Sequence, residues 1–242
     1  MQSIGFYPLN QVIHGDSREL AKSIPDNSID LIFTDPIYDQ EQDYIWLAET
    51  SKRILKSSGL VLCWSNGKWH YQNTKWLESA GLNYRYDFAN IMIRAVAPMN
   101  GHIVSRANRV IWLDKNFQSK MIGYLIDGAS TTVQKWTKSW AWSKSEKFCE
   151  MALEAFADEN SIVYDPFAGY ASIPATCKYF GYKFIASEID ETMAKKSSIR
   201  LSETAYAPRM AIAKPNTASS RLFEGLGELP AVANQSESES PA

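Results

Sequence analysis

The tetrapeptide Asp35-Pro36-Ile37-Tyr38 sets a carboxylate, a proline and an aromatic ring directly after the apolar run Ile29-Asp30-Leu31-Ile32-Phe33-Thr34. Such a run reads as a buried strand, and Asp-Pro as the turn that ends it. Open α/β sheets bind their ligands at the carboxyl ends of strands. A carboxylate there can accept hydrogen bonds from an amino group, and a ring beside it can stack on a planar face. The trio therefore suits holding a planar base by its amine. Asp-Pro after a strand is also an ordinary turn, so function needs a second site to support it.

That second site lies far downstream. The run Ser161-Ile162-Val163-Tyr164 leads into Asp165-Pro166-Phe167-Ala168-Gly169-Tyr170-Ala171-Ser172. A glycine in a strand-to-helix turn lets a ligand approach the backbone, and the helix that follows offers free amides. About twenty residues on, the run 183–187 ends in Glu188-Ile189-Asp190. An acid at that point is placed to accept hydrogen bonds from two ribose hydroxyls.

The elements that must position these residues alternate. Strands are expected at 11–14, 29–34, 60–64, 109–113, 161–164 and 183–187. Helices are expected at 17–23, 44–56, 74–80, 146–157, 173–180 and 192–206. Ser58-Gly59 is expected to close the second helix before its strand, and Gly81 to end the third. This alternation predicts an α/β fold with a parallel sheet and helices on both faces. Between about 83 and 142 the pattern weakens, and 128–138 reads as an exposed loop. From 208 onward Pro, Ser, Ala and Asn dominate without periodicity, the composition of a disordered tail, with 222–229 apolar enough to dock.

With 242 residues, 45% of them hydrophobic, the chain can fold around a substantial core. Cys63, Cys149 and Cys177 lack CxxC spacing, which argues against a zinc site or disulfide framework and suggests a reducing compartment. The three histidines (His14, His70, His102) are far apart, and no metal is expected. His70, between Trp69 and Tyr71, is a candidate for the border of the acceptor pocket. No secretory signal or membrane span is expected, which implies a cytoplasmic protein. Net charge is only -2, yet from Arg94 to Lys147 nine Lys and Arg stand against three acids, among Trp112, Trp136, Trp140 and Trp142. Basic residues interleaved with aromatics can neutralise phosphates and pack on bases, although a solvated face over core tryptophans has the same composition.

The order of these motifs resembles the amino-methylating DNA methyltransferases of the permuted, or β, class. That family carries Asp-Pro-Pro-Tyr early, a variable recognition segment, and Asp-Pro-Phe-x-Gly-x-Gly-Thr late. The likeness runs roughly from Val12 to Leu201. His14-Gly15-Asp16-Ser17 matches the family's adenosine-contacting segment. Ser143-Lys144-Ser145-Glu146-Lys147 lies where the family often has His-Pro-Thr-x-Lys-Pro.

The resemblance implies a Rossmann-like S-adenosylmethionine-dependent methyltransferase sheet over residues 1–207, with a small inserted recognition segment at about 83–142 and a tail at 208–242. It implies that Asp35, Pro36 and Tyr38 act on the base. Asp16, Ser145, Lys147, Asp165, Phe167, Gly169 and Glu188 would hold S-adenosylmethionine. The implied partner is duplex DNA with one base flipped out, and a homodimer is possible by family analogy. Asp rather than Ser in the first position goes with adenine N6 in this family. The short insert predicts a short or relaxed target sequence.

Two departures stand out. Ile37 replaces the second proline, which frees the backbone there. Tyr170-Ala171-Ser172 replaces Ser-Gly-Thr, which predicts crowding of the donor turn by the added side chains. These departures motivate a catalytically silent nucleic-acid-binding module as an alternative. An enzyme acting on RNA or protein is another, although many RNA amino-methylating families reverse the order of the two motifs.

Overall fold

The computed structural model describes residues 3–91, 107–116 and 143–206. A short antiparallel pair, β1 (Ser3–Ile4) and β2 (Tyr7–Pro8), precedes β3 (Gln11–His14). α1 (Ser17–Leu20) continues into a 3-10 turn over Ala21–Ser23 and leads to β4 (Ile29–Thr34). α2 (Glu41–Ile54), β5 (Leu55–Asn66), α3 (His70–Glu78), β6 (Asn83–Ile91) and β7 (Ala107–Asp114) follow. The last part holds α4 (Glu146–Phe156), β8 (Ile162–Asp165), α5 (Ser172–Phe180), β9 (Lys183–Glu188) and α6 (Glu191–Glu203).

Among the described residues, seven strands form one sheet in the order β3-β9-β8-β4-β5-β7-β6. The first five run parallel, as the alternation predicted. β7 runs antiparallel to both of its neighbours, so the sheet is mixed rather than purely parallel. A parallel neighbour needs a crossover connection, whereas an antiparallel one does not.

Strand alternation sorts the core onto two faces. Leu31, Phe33, Leu60, Leu62 and Trp64 pack with Phe148, Cys149, Ala152 and Leu153 of α4 and with Ile173 and Cys177 of α5. Ile32, Val61, Cys63 and Ile111 pack on the opposite face with Tyr44, Leu47 and Ile54 of α2 and Leu77 of α3. Trp64 lies 5.0 Å from Phe148, ring centre to ring centre, and both are buried. Burying one such ring stabilises the fold by about 2–3 kcal/mol.

Two boundaries moved from their expected places. α2 begins one turn early, where Glu41 and Asp43 suit the positive end of a helix. Ser58-Gly59 does not separate helix from strand. It lies inside β5, where the pairing with β4 shifts from Ile29↔Leu55 to Leu31↔Leu60. A Cβ at Gly59 would come within 3.0 Å of the Lys56 carbonyl oxygen and 3.1 Å of that of Ile29. The glycine lets two backbones touch at this bulge.

β6 is a strand that the sequence reading left unassigned. Within the expected insert, only β6, β7 and the residues up to 116 are described. Residues 92–106 and 117–142, the exposed loop expected at 128–138, and the tail from 208 lie outside the described residues. Among the described residues, no helix is long and apolar enough to cross a membrane.

Candidate active site

β4 and β8 lie side by side, with Leu31 opposite Val163 and Ile32 opposite Tyr164. Their carboxyl ends therefore bring Asp35 and Asp165 to one place, although 130 residues separate them in the chain. Thr34, the last residue of β4, donates a hydrogen bond from Oγ1 to Asp165 Oδ1 at 2.7 Å. Phe167 N–H adds a second bond to the same oxygen at 3.2 Å. Asp165 is 3% exposed. Burial pushes its carboxyl up to about 8 against those two bonds, with Asp35 and Glu188 adding repulsion.

The turn between β8 and α5 is built by backbone conformation and held by side chains. Gly169 has φ +52°, and a Cβ there would meet nothing within 4 Å. Space therefore lies beside this turn. Gly169 N–H donates to Glu188 Oε2 at 2.7 Å, and Asp190 N–H to Glu188 Oε1 at 2.9 Å. Ser197 Oγ donates to the Gly169 carbonyl at 2.5 Å. Glu188 is thus fixed at the end of β9 with 8% of its surface exposed.

Ala171 stands at the amino end of α5 with φ +57°, a left-handed conformation that an L-residue adopts at a cost. Its side chain is fully buried in the turn. The departure from glycine thus has a cost in the backbone.

Asp16 caps α1, accepting from Arg18 N–H at 2.8 Å, and stays partly exposed. Beside it, Ser17 Oγ donates to the Pro166 carbonyl and lies 3.0 Å from Ser187 Oγ. These bonds tie the β3–α1 loop to both β8 and β9. Phe167 meets Trp46 of α2 edge to face at 5.9 Å, and Arg18 lies over Trp46 at 5.7 Å while pairing with Asp43. Asp16, Phe167, Gly169 and Glu188 therefore come from three neighbouring strand ends.

On the acceptor side, Pro36 is buried and Ile37 is 66% exposed. Tyr38 packs against the core below. Burial pushes the Tyr38 hydroxyl well up, and the neighbouring Asp35 carboxylate pushes it further. In the amide orientation that satisfies every neighbour, buried Asn73 donates to the Tyr38 carbonyl at 2.9 Å. It then accepts from Tyr44 OH at 2.8 Å and Ser65 Oγ at 2.9 Å, which pins the loop.

Lys144 is the residue that sequence reasoning missed. Its Nζ lies 2.7 Å from Asp35 Oδ2 and 2.7 Å from Tyr38 OH. It also lies 5.3 Å from the centre of the Tyr38 ring and 5.2 Å from that of Trp64. The other carboxylate oxygen, Asp35 Oδ1, is buried without a hydrogen-bond partner among the described residues. Ser145 caps α4 by accepting from Phe148 N–H at 3.2 Å. Lys147 turns away, pairing with Glu150 at 2.8 Å. Arg200 of α6 holds this segment to the donor turn, donating to the Tyr170 carbonyl at 2.8 Å, Ser143 Oγ at 3.3 Å and Glu146 at 2.5 Å.

His70 is not part of the Asp35 cluster. It lies 3.6 Å from Asp87, which also takes Arg109 at 2.9 Å, and burial lowers its proton affinity. Among the described residues, no group of three or more His, Cys, Asp or Glu could hold a metal ion.

No protein-family model matches the chain. A curated relative, the type II methyltransferase M.BamHI of Bacillus amyloliquefaciens, is 22% identical over 234 residues. The match covers 75% of this chain and 55% of the relative, so the chain spans about half the relative's length. Among solved structures, the M1.HpyAVI–SAM complex matches with a TM-score of 0.65 and 20% identity, covering 79% of this chain and 98% of that one. The PvuII DNA methyltransferase (cytosine-N4-specific) matches with a TM-score of 0.66 and 16% identity, covering 78% and 85%. The fold is that of these enzymes. In sequence the chain is similar to the type II methyltransferase M.BamHI, and in fold to M1.HpyAVI and the PvuII DNA methyltransferase.

Proposed function

We propose that this protein transfers a methyl group from S-adenosylmethionine to the exocyclic amine of a base in DNA, with adenine N6 as the target. The observation that carries this reading is the meeting of two carboxylates at the adjacent ends of β4 and β8. One is buried and hydrogen-bonded, and the other has an unpartnered oxygen beside an aromatic ring.

The residues present fit the donor. Glu188 is rigidly placed to receive ribose hydroxyls, and Gly169 leaves room beside the turn. Phe167 and Trp46 form an aromatic wall, and Asp16 retains exposed surface for the adenine end. Asp165 offers a buried carboxylate whose charge is costly without a cation. Ser145 stands at the start of α4 beside Lys144, and Lys147 joins the donor site only by leaving Glu150. When bound, the donor supplies an electrophilic methyl on a sulfonium.

The chain's own residues prepare the acceptor. The amine of adenine is a weak nucleophile because its lone pair is shared with the ring. Asp35 Oδ1 accepts one amino hydrogen and the Pro36 carbonyl accepts the other, which turns the lone pair toward the methyl group. Asp35 also stabilises the positive charge that develops on nitrogen. Tyr38 provides the stacking surface, worth about 1–3 kcal/mol per base. Holding the amine in line supplies much of the remaining acceleration. In duplex DNA the base must first leave the stack.

The test is incubation with labelled donor and unmethylated DNA, RNA or protein in parallel, followed by nucleoside mass spectrometry. N6-methyladenine in DNA supports the proposal. N4-methylcytosine keeps the reaction and changes the base. Label in RNA or protein alone, or no donor binding by calorimetry, overturns it.

A further inference from the structure

We propose that Lys144 is a specificity-determining residue of the acceptor pocket, donating a hydrogen bond to the ring nitrogen beside the target amine. This rests on the reading above and names the chemistry by which the same site recognises its base.

An ammonium has three donors. One of Lys144 goes to Asp35 Oδ2 and one to Tyr38 OH. The third has no hydrogen-bond partner among the described residues. On the same ion pair, Asp35 Oδ1 is a buried acceptor with no partner among the described residues. A free acceptor and a free donor thus stand side by side. This is the complement of an amidine edge, in which an amine that donates adjoins a ring nitrogen that accepts.

Adenine shows that edge at N6 and N1, and cytosine at N4 and N3. Thymine and guanine show the reverse at O4/N3–H and O6/N1–H, where oxygen would face Asp35 and a ring N–H would face the ammonium. The pair therefore admits adenine and cytosine by these edges and repels thymine and guanine presented by theirs.

The position of Lys144 is fixed from behind. Its N–H donates to Ser172 Oγ at 3.0 Å, and Arg200 holds the preceding Ser143. The side chain is only 15% exposed. Its cation lies beyond the Tyr38 hydroxyl and 5.2 Å from the centre of the Trp64 ring, which favours positive charge. The Asp35 charge balances the ammonium, so the donor's sulfonium does not face a lone cation.

The experiment uses the full chain and random-sequence DNA in which adenine is replaced by 1-deazaadenine, which lacks N1, or by 7-deazaadenine as control. Loss of a hydrogen bond to a charged donor is expected to lower wild-type kcat/KM about tenfold to a hundredfold on the 1-deaza substrate, with little change on the 7-deaza one. Lys144→Met should lose a similar factor on ordinary adenine and nothing further on the 1-deaza substrate. Lys144→Arg should recover part of the loss. If cytosine is the base, 3-deazacytosine takes the same place.

Equal wild-type rates on adenine and 1-deazaadenine overturn the proposal without any variant. So does a 1-deaza penalty that Lys144→Met leaves intact. If the wild type methylates no DNA, the functional reading fails first. Lys144 is then judged by NMR titration with adenosine and 1-deazaadenosine, where equal affinities overturn it.

Discussion

The two halves of the site differ in how completely they are built. The donor side is closed by its own bonds: both oxygens of Glu188 are engaged by backbone N–H groups, and one of Asp165 by Thr34 and Phe167. The acceptor side keeps an unpartnered buried oxygen on Asp35, an exposed Ile37 and a lysine in place of backbone donors. Buried polar atoms are normally paired, so the gap on Asp35 is held open by the surrounding fold. A rigid cradle suits a ligand of constant shape, and an incomplete one suits a guest that must enter and leave.

The largest expected effect breaks the two sides apart. Asp35→Ala should lower kcat for methyl transfer by about a hundredfold to a thousandfold, with a much smaller fall in donor affinity, since the donor loses only the charge that balances Lys144. Parallel loss of both would show that the sides are not separable. Rates with labelled donor and calorimetry with the donor alone check this.

Asp165→Asn should act the other way, weakening donor affinity about tenfold or more through loss of a charge-assisted contact. Its carboxyl, pushed up to about 8, is largely protonated at neutral pH. Wild-type donor affinity should therefore contain a component that rises toward pH 8 and is missing in the variant. The free protein should show the opposite slope. An acid with a raised folded value binds more protons folded than unfolded, so stability falls as pH climbs from about 4 to about 8. Thermal melts of both proteins across that range should differ in slope.

Arg200→Met removes the clamp between α6, the donor turn and the segment carrying Lys144. It should destabilise the protein by about 1–2 kcal/mol, because the partly buried Tyr170 carbonyl loses this donor. Both donor affinity and kcat should fall, unlike in either carboxylate variant. The smallest effect is expected for Ala171→Gly, which relieves the left-handed backbone and should stabilise by about 1 kcal/mol. Chemical denaturation measures it, and no gain would show that the turn carries no strain.

Much of this was legible in the sequence because the signals were local. Apolar runs of five or six residues gave the central strands, and Asp-Pro turns marked where they end. Asp35 and Asp165 could be paired because parallel strands put both turns at the same end of the sheet. β6 was missed, although Tyr84, Tyr86 and Phe88 alternate as strand residues do. Its register shift against β7 between Tyr84 and Tyr86 exposes both tyrosines, so no clean apolar face marked it. Reversal of β7 was illegible because direction depends on a connection that strand composition does not encode.

Lys144 was hidden for a different reason. Three basic or capping residues sit within four positions, and only the rotation of the α4 start decides which one faces Asp35. Ser145 takes the capping place, which leaves Lys147 on the outer face beside Glu150 and points Lys144 inward. The Asn73 brace on Tyr38 was equally silent, since an Asn inside a helix carries no mark of its partners.

The central seam of the sheet joins β4 to β8, segments that leave the ribosome far apart in time. Until β8 is made, β4 has a neighbour on one side only, and its bare edge carries Leu31 and Phe33. A nascent chain in that state is exposed to edge-to-edge association. Slower translation at low temperature, or co-expressed chaperones, should therefore raise the soluble yield. A chain cut short before Asp165 should possess neither pocket, because β8 supplies the second neighbour of β4.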